Sequence, residues 1–106
     1  MTAFPHPLDA LAAWCTAQAS GLRAAAIDCE IDTSPADGRD KASAWVTLST
    51  DARLAALAVW DTGEAELDHV DVESGQVHSE HRFLQTEQDL VRALSGLVRW
   101  VRSAAP

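Results

Sequence analysis

Positive charge is scarce in this chain: eight Lys and Arg stand against sixteen Asp and Glu, giving a formal net charge of -8 and a pI of about 4.7. That shortage argues against nucleic acid or an anionic membrane as partner, because both require cations to neutralise phosphate. Cysteine is scarce too. Cys15 and Cys29 are the only two, their spacing matches no zinc or redox motif, and both read as small buried hydrophobes. No apolar run approaches the roughly 18–20 residues that span a bilayer. The opening "MTAFPHPLDALAAWC" lacks the basic region and unbroken apolar stretch of a signal peptide. The expectation is a cytoplasmic protein with reduced thiols. The five glycines are scattered, so no Gly-rich phosphate loop exists, and no G-x-S-x-G nucleophile elbow occurs.

What is present suffices for a core. With 47% hydrophobic residues in 106, the chain reads as one compact domain over residues 1–106. A domain of this size buries about two thirds of its unfolded surface. Abundant Ala and a preference for Arg over Lys fit a GC-rich bacterial genome.

Leu8, Leu11, Ala12, Cys15 and Ala19 recur at helical spacing behind Pro5 and Pro7, which predicts a helix over about 8–20 ended by Ser20-Gly21. The run "LRAAAIDCEID" then alternates. Ala25, Ile27, Cys29 and Ile31 fall on one face, with Asp28, Glu30 and Asp32 on the other, which is the period of a half-buried strand. "TSPADGRD" follows as a solvated loop without the ligand spacing of a calcium site. "KASAWVTLS" and "RLAALAVW" predict two strands joined by a tight turn at Thr50-Asp51. That turn would set Val46 opposite Ala55, Ala44 opposite Leu57 and Ala42 opposite Val59 as a core face. Trp45, Leu54 and Trp60 then share the other face, beside Lys41. "DTG" reads as a hairpin turn with Gly63 left-handed, pairing Leu57 with Leu67 and placing Glu64 near Trp60.

The stretch "WDTGEAELDHVDVESG", residues 60–75, concentrates six carboxylates and one imidazole with no Lys or Arg. After Asp68 its alternation slips, since Val70 and Val72 are apolar in the opposite phase, and a bulge near Asp68-His69 would reconcile the halves. "VHSEHRFL" gives a fifth strand with Val77 and Phe83 in phase. Thr86 and Asp89 form a capping-box pattern ahead of an apolar stripe of Leu90, Val91, Leu94, Leu97, Val98 and Val101 over about 87–102. Helix, five-stranded antiparallel meander, helix is an α+β two-layer sandwich with one sheet face open.

The histidines and acids are the candidates for chemistry. His69, His78 and His81 lie near Asp68 and Asp71, but His78 and His81 are an odd number apart on one strand and point to opposite faces. A turn at Ser74-Gly75 pairs Asp68 with His81 and Asp71 with His78, which needs no metal. Neither thiol sits in a basic context that would activate it. A small meander offers no obvious cleft in which to desolvate one carboxyl of an acid–base dyad. The expectation is a protein that is not an enzyme, with no cofactor and no metal. The open sheet face remains. Trp45 and Trp60 are anchors of the kind enriched at binding hot spots, with Glu64, Glu66, Asp68, Asp71 and Glu73 as an acidic rim for a basic protein partner. Trp14 and Trp100 read as core-edge residues of the helices.

"ASAWVTLS", "LAVWDTGEAELDHVDVESGQVHSEHR" and "FLQTEQDLVRALSGLVRWV" together resemble the TriTu family of immunity proteins, found with bacterial polymorphic toxin systems. The likeness runs from about Leu8 to Val101 and is strongest over Lys41–Arg82. It implies an antitoxin that binds and neutralises a cognate toxin protein, as a monomer or homodimer. It supplies no contact residues. A small acidic chaperone for a secreted effector is the alternative, and a metal-dependent enzyme using His69 and His78 is a third, more distant reading.

Overall fold

The computed structural model describes residues 6–34 and 42–103. Its elements are α1 (Pro7–Ala24), β1 (Asp28–Ser34), β2 (Ser43–Ser49), β3 (Arg53–Trp60), β4 (Glu64–Asp71), β5 (Val77–Phe83) and α2 (Glu87–Arg102). The five strands form one antiparallel sheet in the order β1-β2-β3-β4-β5. Helix, meander and helix thus make the α+β architecture anticipated above.

One sheet face builds the core. Ala44, Val46, Leu48, Ala55, Leu57, Val59, Ala65 and Leu67 are buried and point at the helices. From α1 come Leu11, Cys15 and Leu22, and from α2 come Leu90, Ala93, Leu94, Leu97 and Val101. The two helices pack chiefly over β1–β3 and against each other. Trp14 and Trp100 lie half-buried against the cluster.

The α2 start is set by the anticipated capping box. Thr86 Oγ1 accepts from the Asp89 N–H at 3.1 Å, and the Asp89 carboxylate accepts from the Thr86 N–H at 3.2 Å. The α1 end differs from expectation. Gly21 lies inside the helix, which runs to Ala24, because closure occurs later. The Ile27 N–H donates to the Leu22 carbonyl at 2.9 Å and the Ala26 N–H to that of Arg23 at 3.0 Å, the double bond of a Schellman cap. The left-handed position of that cap, φ 60°, is occupied by Ala26.

Two turns shift the expected pairing without turning any strand over. The Thr50 hydroxyl accepts from the N–H groups of Ala52 and Arg53, so the two turn residues are Asp51 and Ala52. Val46 therefore faces Leu57, Ala44 faces Val59, and Leu48 faces Ala55. At the last hairpin the Asp71 carboxylate accepts from the Ser74 N–H, and the Gly75 N–H donates to the Asp71 carbonyl. That closes the loop on Asp71 and Gln76 and pairs Glu66 with His81, Asp68 with Ser79 and His69 with His78. The expected Asp68–His81 and Asp71–His78 pairs are absent. Each shift moves partners by two residues, so the side-chain faces are preserved. The "DTG" turn is as anticipated, with Gly63 at φ 94° and Leu57 opposite Leu67.

The anticipated bulge at Asp68-His69 does not form. Both ladders of β4 are unbroken from end to end. Strict alternation therefore puts Val70 on the open face and His69 and Asp71 on the helix side. The helix side tolerates them because the sheet extends past the helices there, and the His69 ring meets Trp100 edge-on at 4.9 Å.

Two substitutions test this account of α1. Gly21 is exposed, and a Cβ there would meet nothing within 4 Å, so Gly21→Ala should stabilise the protein by about 0.5–1 kcal/mol. Ala26→Gly should also stabilise it, by up to about 1 kcal/mol, by relieving a left-handed alanine. By contrast, Gly63→Ala places a Cβ 2.7 Å from the Leu84 carbonyl oxygen at a positive φ and should cost about 1–3 kcal/mol. Urea titrations of the three variants measure each effect.

Candidate interaction surface

Alternation along the five strands decides what the open face displays. Opposite each buried residue of the core stands an outward one. Asp28, Glu30 and Asp32 come from β1, and Glu64, Glu66 and Asp68 from β4. These are six carboxylates, and no Lys or Arg side chain shares the face among the described strand residues. The two described strand arginines, Arg53 and Arg82, fall in the opposite phase. Four further arginines, Arg23, Arg92, Arg99 and Arg102, lie exposed on the helices. Among the described residues the arginines are therefore confined to the helical side, and the open sheet face carries carboxylates alone as charged groups.

Trp45 stands amid these acids, 37% exposed. One row across the sheet reads Asp32, Trp45, Ala58, Glu66 and His81. Trp60, half-buried, lies on the same face one diagonal away, opposite Ser43. The cross-strand neighbours of Trp45 on β3 are the small Ala58 and, on the diagonals, Ala56 and Trp60. Lys41, expected beside the pair, lies outside the described residues. Asp68 accepts a 2.6 Å hydrogen bond from the Ser79 hydroxyl across the β4–β5 pair.

Of the seven residues singled out from sequence, five share this face: Trp45, Trp60, Glu64, Glu66 and Asp68. Asp71 does not. It points to the helix side, caps the last hairpin through Ser74 at 3.0 Å and stands 3.9 Å from Arg53 Nε. Glu73 lies exposed in that hairpin loop. The acids of β1 belong to the face but were not singled out, although their alternation was legible.

The helix side does contain a cleft, contrary to expectation. It has a volume of about 660 Å3 and opens where the end of α2 meets β4 and β5, between Trp100, Arg53, His69, Asp71, His78 and Glu80. Arg53 ties it shut at its base: Nη1 donates to the Trp100 carbonyl and to Ser103 Oγ, both at 2.7 Å, and the guanidinium stacks 4.5 Å from the indole centroid. Its carboxylates are held ionised. The Ser74 N–H keeps Asp71 below its ordinary range, and the Arg82 guanidinium, 2.8 Å away, does the same for Glu80. A proton-donating carboxylic acid, which acid–base pairs require at neutral pH, is thus missing from the cleft. His69 and His78 stand with ring centroids 5.7 Å apart. Among the described residues, no group of three or more His, Cys, Asp and Glu is arranged to hold a metal ion.

Burial pushes the Cys15 thiol up to about 12, reinforced by Cys29 alongside, and burial likewise raises Cys29. Cys15 is buried as expected, and Cys29 is half-buried beside it. Also among the described residues, no helix is long and apolar enough to cross a membrane.

A family model described as the immunity protein TriTu matches residues 9–100 of the chain. A comparison with curated proteins gives no match.

A raised pKa at both thiols leaves little thiolate at pH 8. Alkylation by iodoacetamide should therefore be slow in the folded protein and complete once it is unfolded in guanidinium, with mass spectrometry counting the adducts.

Proposed function

The chain belongs to the TriTu family of immunity proteins, and on that footing we propose that it binds and neutralises a cognate toxin domain through the open face of its sheet. Immunity is a binding task. It requires a stable surface that recognises one protein and occludes or distorts it, with no reaction of its own.

The observation that carries the reading is the composition of that face. Six carboxylates share the face with Trp45, which is 37% exposed, and the described strand arginines point to the other side. A surface of one sign steers an oppositely charged partner and raises the association rate. A stiff aromatic at its centre supplies the desolvated anchor that dominates affinity. The partner is accordingly a toxin domain with a basic surface, of the kind a phosphate-handling enzyme presents to its substrate. Binding such a surface would cover the groups that the toxin uses. The site comprises Trp45, Trp60, Glu64, Glu66 and Asp68, extended by Glu30 and Asp32 of β1. Asp71 and Glu73 act at its border, by shaping the last hairpin. The protein works in the cytoplasm of the producing cell and catalyses nothing.

Co-expression with the toxin domain encoded beside this gene tests the role: growth should be rescued and the two should co-purify. A toxin left active and unbound removes the reading. Trp45→Ala should weaken the complex by about 2 kcal/mol while destabilising the free protein by less than the loss of a fully buried aromatic, about 3–5 kcal/mol, because the ring is 37% exposed. Glu30→Lys with Glu66→Lys should slow association about tenfold or more at low salt and flatten its salt dependence, as stopped-flow fluorescence reads directly.

A further inference from the structure

The sheet has two edges, and they are built differently. At one, β1 carries Asp28, Glu30 and Asp32 on the open face and α1 beneath it. Charged side chains of this kind blunt an edge against pairing. At the other, β5 runs seven residues without a bulge, without Pro and without Lys. Nothing among the described residues pairs with its outer side.

The direction of the β5 backbone follows from the hydrogen bonds at its two ends. The Asp71 N–H donates to the Gln76 carbonyl at 2.9 Å, and the Leu84 N–H to that of Gly63 at 2.8 Å. Antiparallel ladders alternate between bonded and non-bonded pairs. His78, Glu80 and Arg82 therefore bond to β4, and Val77, Ser79, His81 and Phe83 turn their N–H and C=O groups to the free edge. The same four side chains lie on the acidic face. Val77 is 66% exposed and Phe83 61%, so apolar side chains bracket two polar ones along an unpaired strand.

We propose that β5 is the docking strand of this surface: an extended segment of the partner adds antiparallel to its free edge as a sixth strand. The proposal rests on the reading of the acidic face as the partner surface and names how that surface is engaged. Antiparallel addition continues the meander and keeps the bonds straight. Charge selects the segment. Glu66 and Asp68 stand on β4 beside His81 and Ser79. A strand added beyond β5 lies about 10 Å from β4, which Lys or Arg side chains can reach back across. Apolar residues would lie against Val77 and Phe83, and basic ones opposite Ser79 and His81. A second copy of this chain is the poorer occupant, since it would join two acidic faces, each on a chain of net charge -8.

The probe is the peptide Val-Thr-Lys-Thr-Lys-Thr-Val, with a control in which both lysines carry N-methylated backbone amides. The control keeps every side chain and charge but loses two donors to the edge. Amide exchange by NMR should show Val77, Ser79, His81 and Phe83 unprotected in the free protein and protected with the peptide. The amides of His78, Glu80 and Arg82 should be protected throughout. The methylated peptide should bind about tenfold more weakly or worse. Ser79→Pro should have a similar effect while Ser79→Ala binds normally, circular dichroism verifying that both are folded. Equal binding of the two peptides without alternate protection overturns strand addition and leaves the charged face as the attraction. Protection that rises with protein concentration alone also overturns it, in favour of a second copy. Failure of both peptides to bind overturns it together with the basic character assigned to the partner, while toxin rescue in cells tests the immunity reading independently.

Discussion

One-sided burial of the sheet is the constraint on which the rest of this protein depends. Two helices and a single sheet can enclose only one core, so each central strand must send alternate side chains into it. Ala44, Val46, Leu48, Ala55, Leu57, Val59, Ala65 and Leu67 occupy those positions. Reversing β4 would bury Glu64, Glu66 and Asp68 and expose Ala65 and Leu67, and reversing β2 would bury Trp45 and expose Ala44, Val46 and Leu48. Burying an unpaired carboxylate costs far more than a misplaced methyl group gains. The composition of the open face is thus a consequence of how the core is filled. No separate device is needed to hold six carboxylates on one surface.

The helix layer is narrower than the sheet, and that mismatch explains the irregular features. Over β2 and the Ala55–Val59 part of β3 the covering is complete and the inward residues are apolar, while on β1 the inward Ile31 and Thr33 stay exposed. Toward the end of β4 it thins, and the inward positions become His69 and Asp71 without disturbing the ladder. Arg53 seals the boundary by capping the last turn of α2 and stacking on Trp100, where the carbonyl end of the helix dipole favours a cation. Beyond that seal β5 is exposed on both faces. An edge strand left in this state is ordinarily an aggregation liability. Here it adjoins the acidic face, which repels further copies of the same chain.

Under the proposed function, the acidic face connects this architecture to immunity. A toxin must be bound before it does damage, so the rate of association matters as much as the final affinity. Carboxylates on an uncovered sheet face project their field outward over about a Debye length, roughly 8 Å at physiological salt, while the described arginines lie on the helical side. In the proposed complex the exposed indole would add affinity once the partner has arrived. Neither element requires a pocket or a reactive group. This accords with thiols raised by burial and with cleft carboxylates held as anions.

Much of this was legible in the residue pattern, because it follows from periods that the chain must obey locally. The capping box at Thr86 and Asp89, the apolar stripe of α2, the Gly63 turn and the alternation of β1, β2 and β3 each depend on neighbours a few residues apart. Placing Trp45, Trp60, Glu64, Glu66 and Asp68 on one face needed only the parity of β2, β3 and β4 as far as Asp68, which the two-residue changes in pairing did not alter. Three matters were decided by tertiary structure. The turns at Thr50 and Asp71 were set by side-chain hydrogen bonds to backbone N–H groups, which residue type permits but does not select. The bulge at Asp68-His69 was unnecessary because polar residues can face inward where the helices end, and helix coverage is a property of packing. The free edge of β5 exists because no described element pairs with it, a relation between distant segments that periodicity within one strand does not encode.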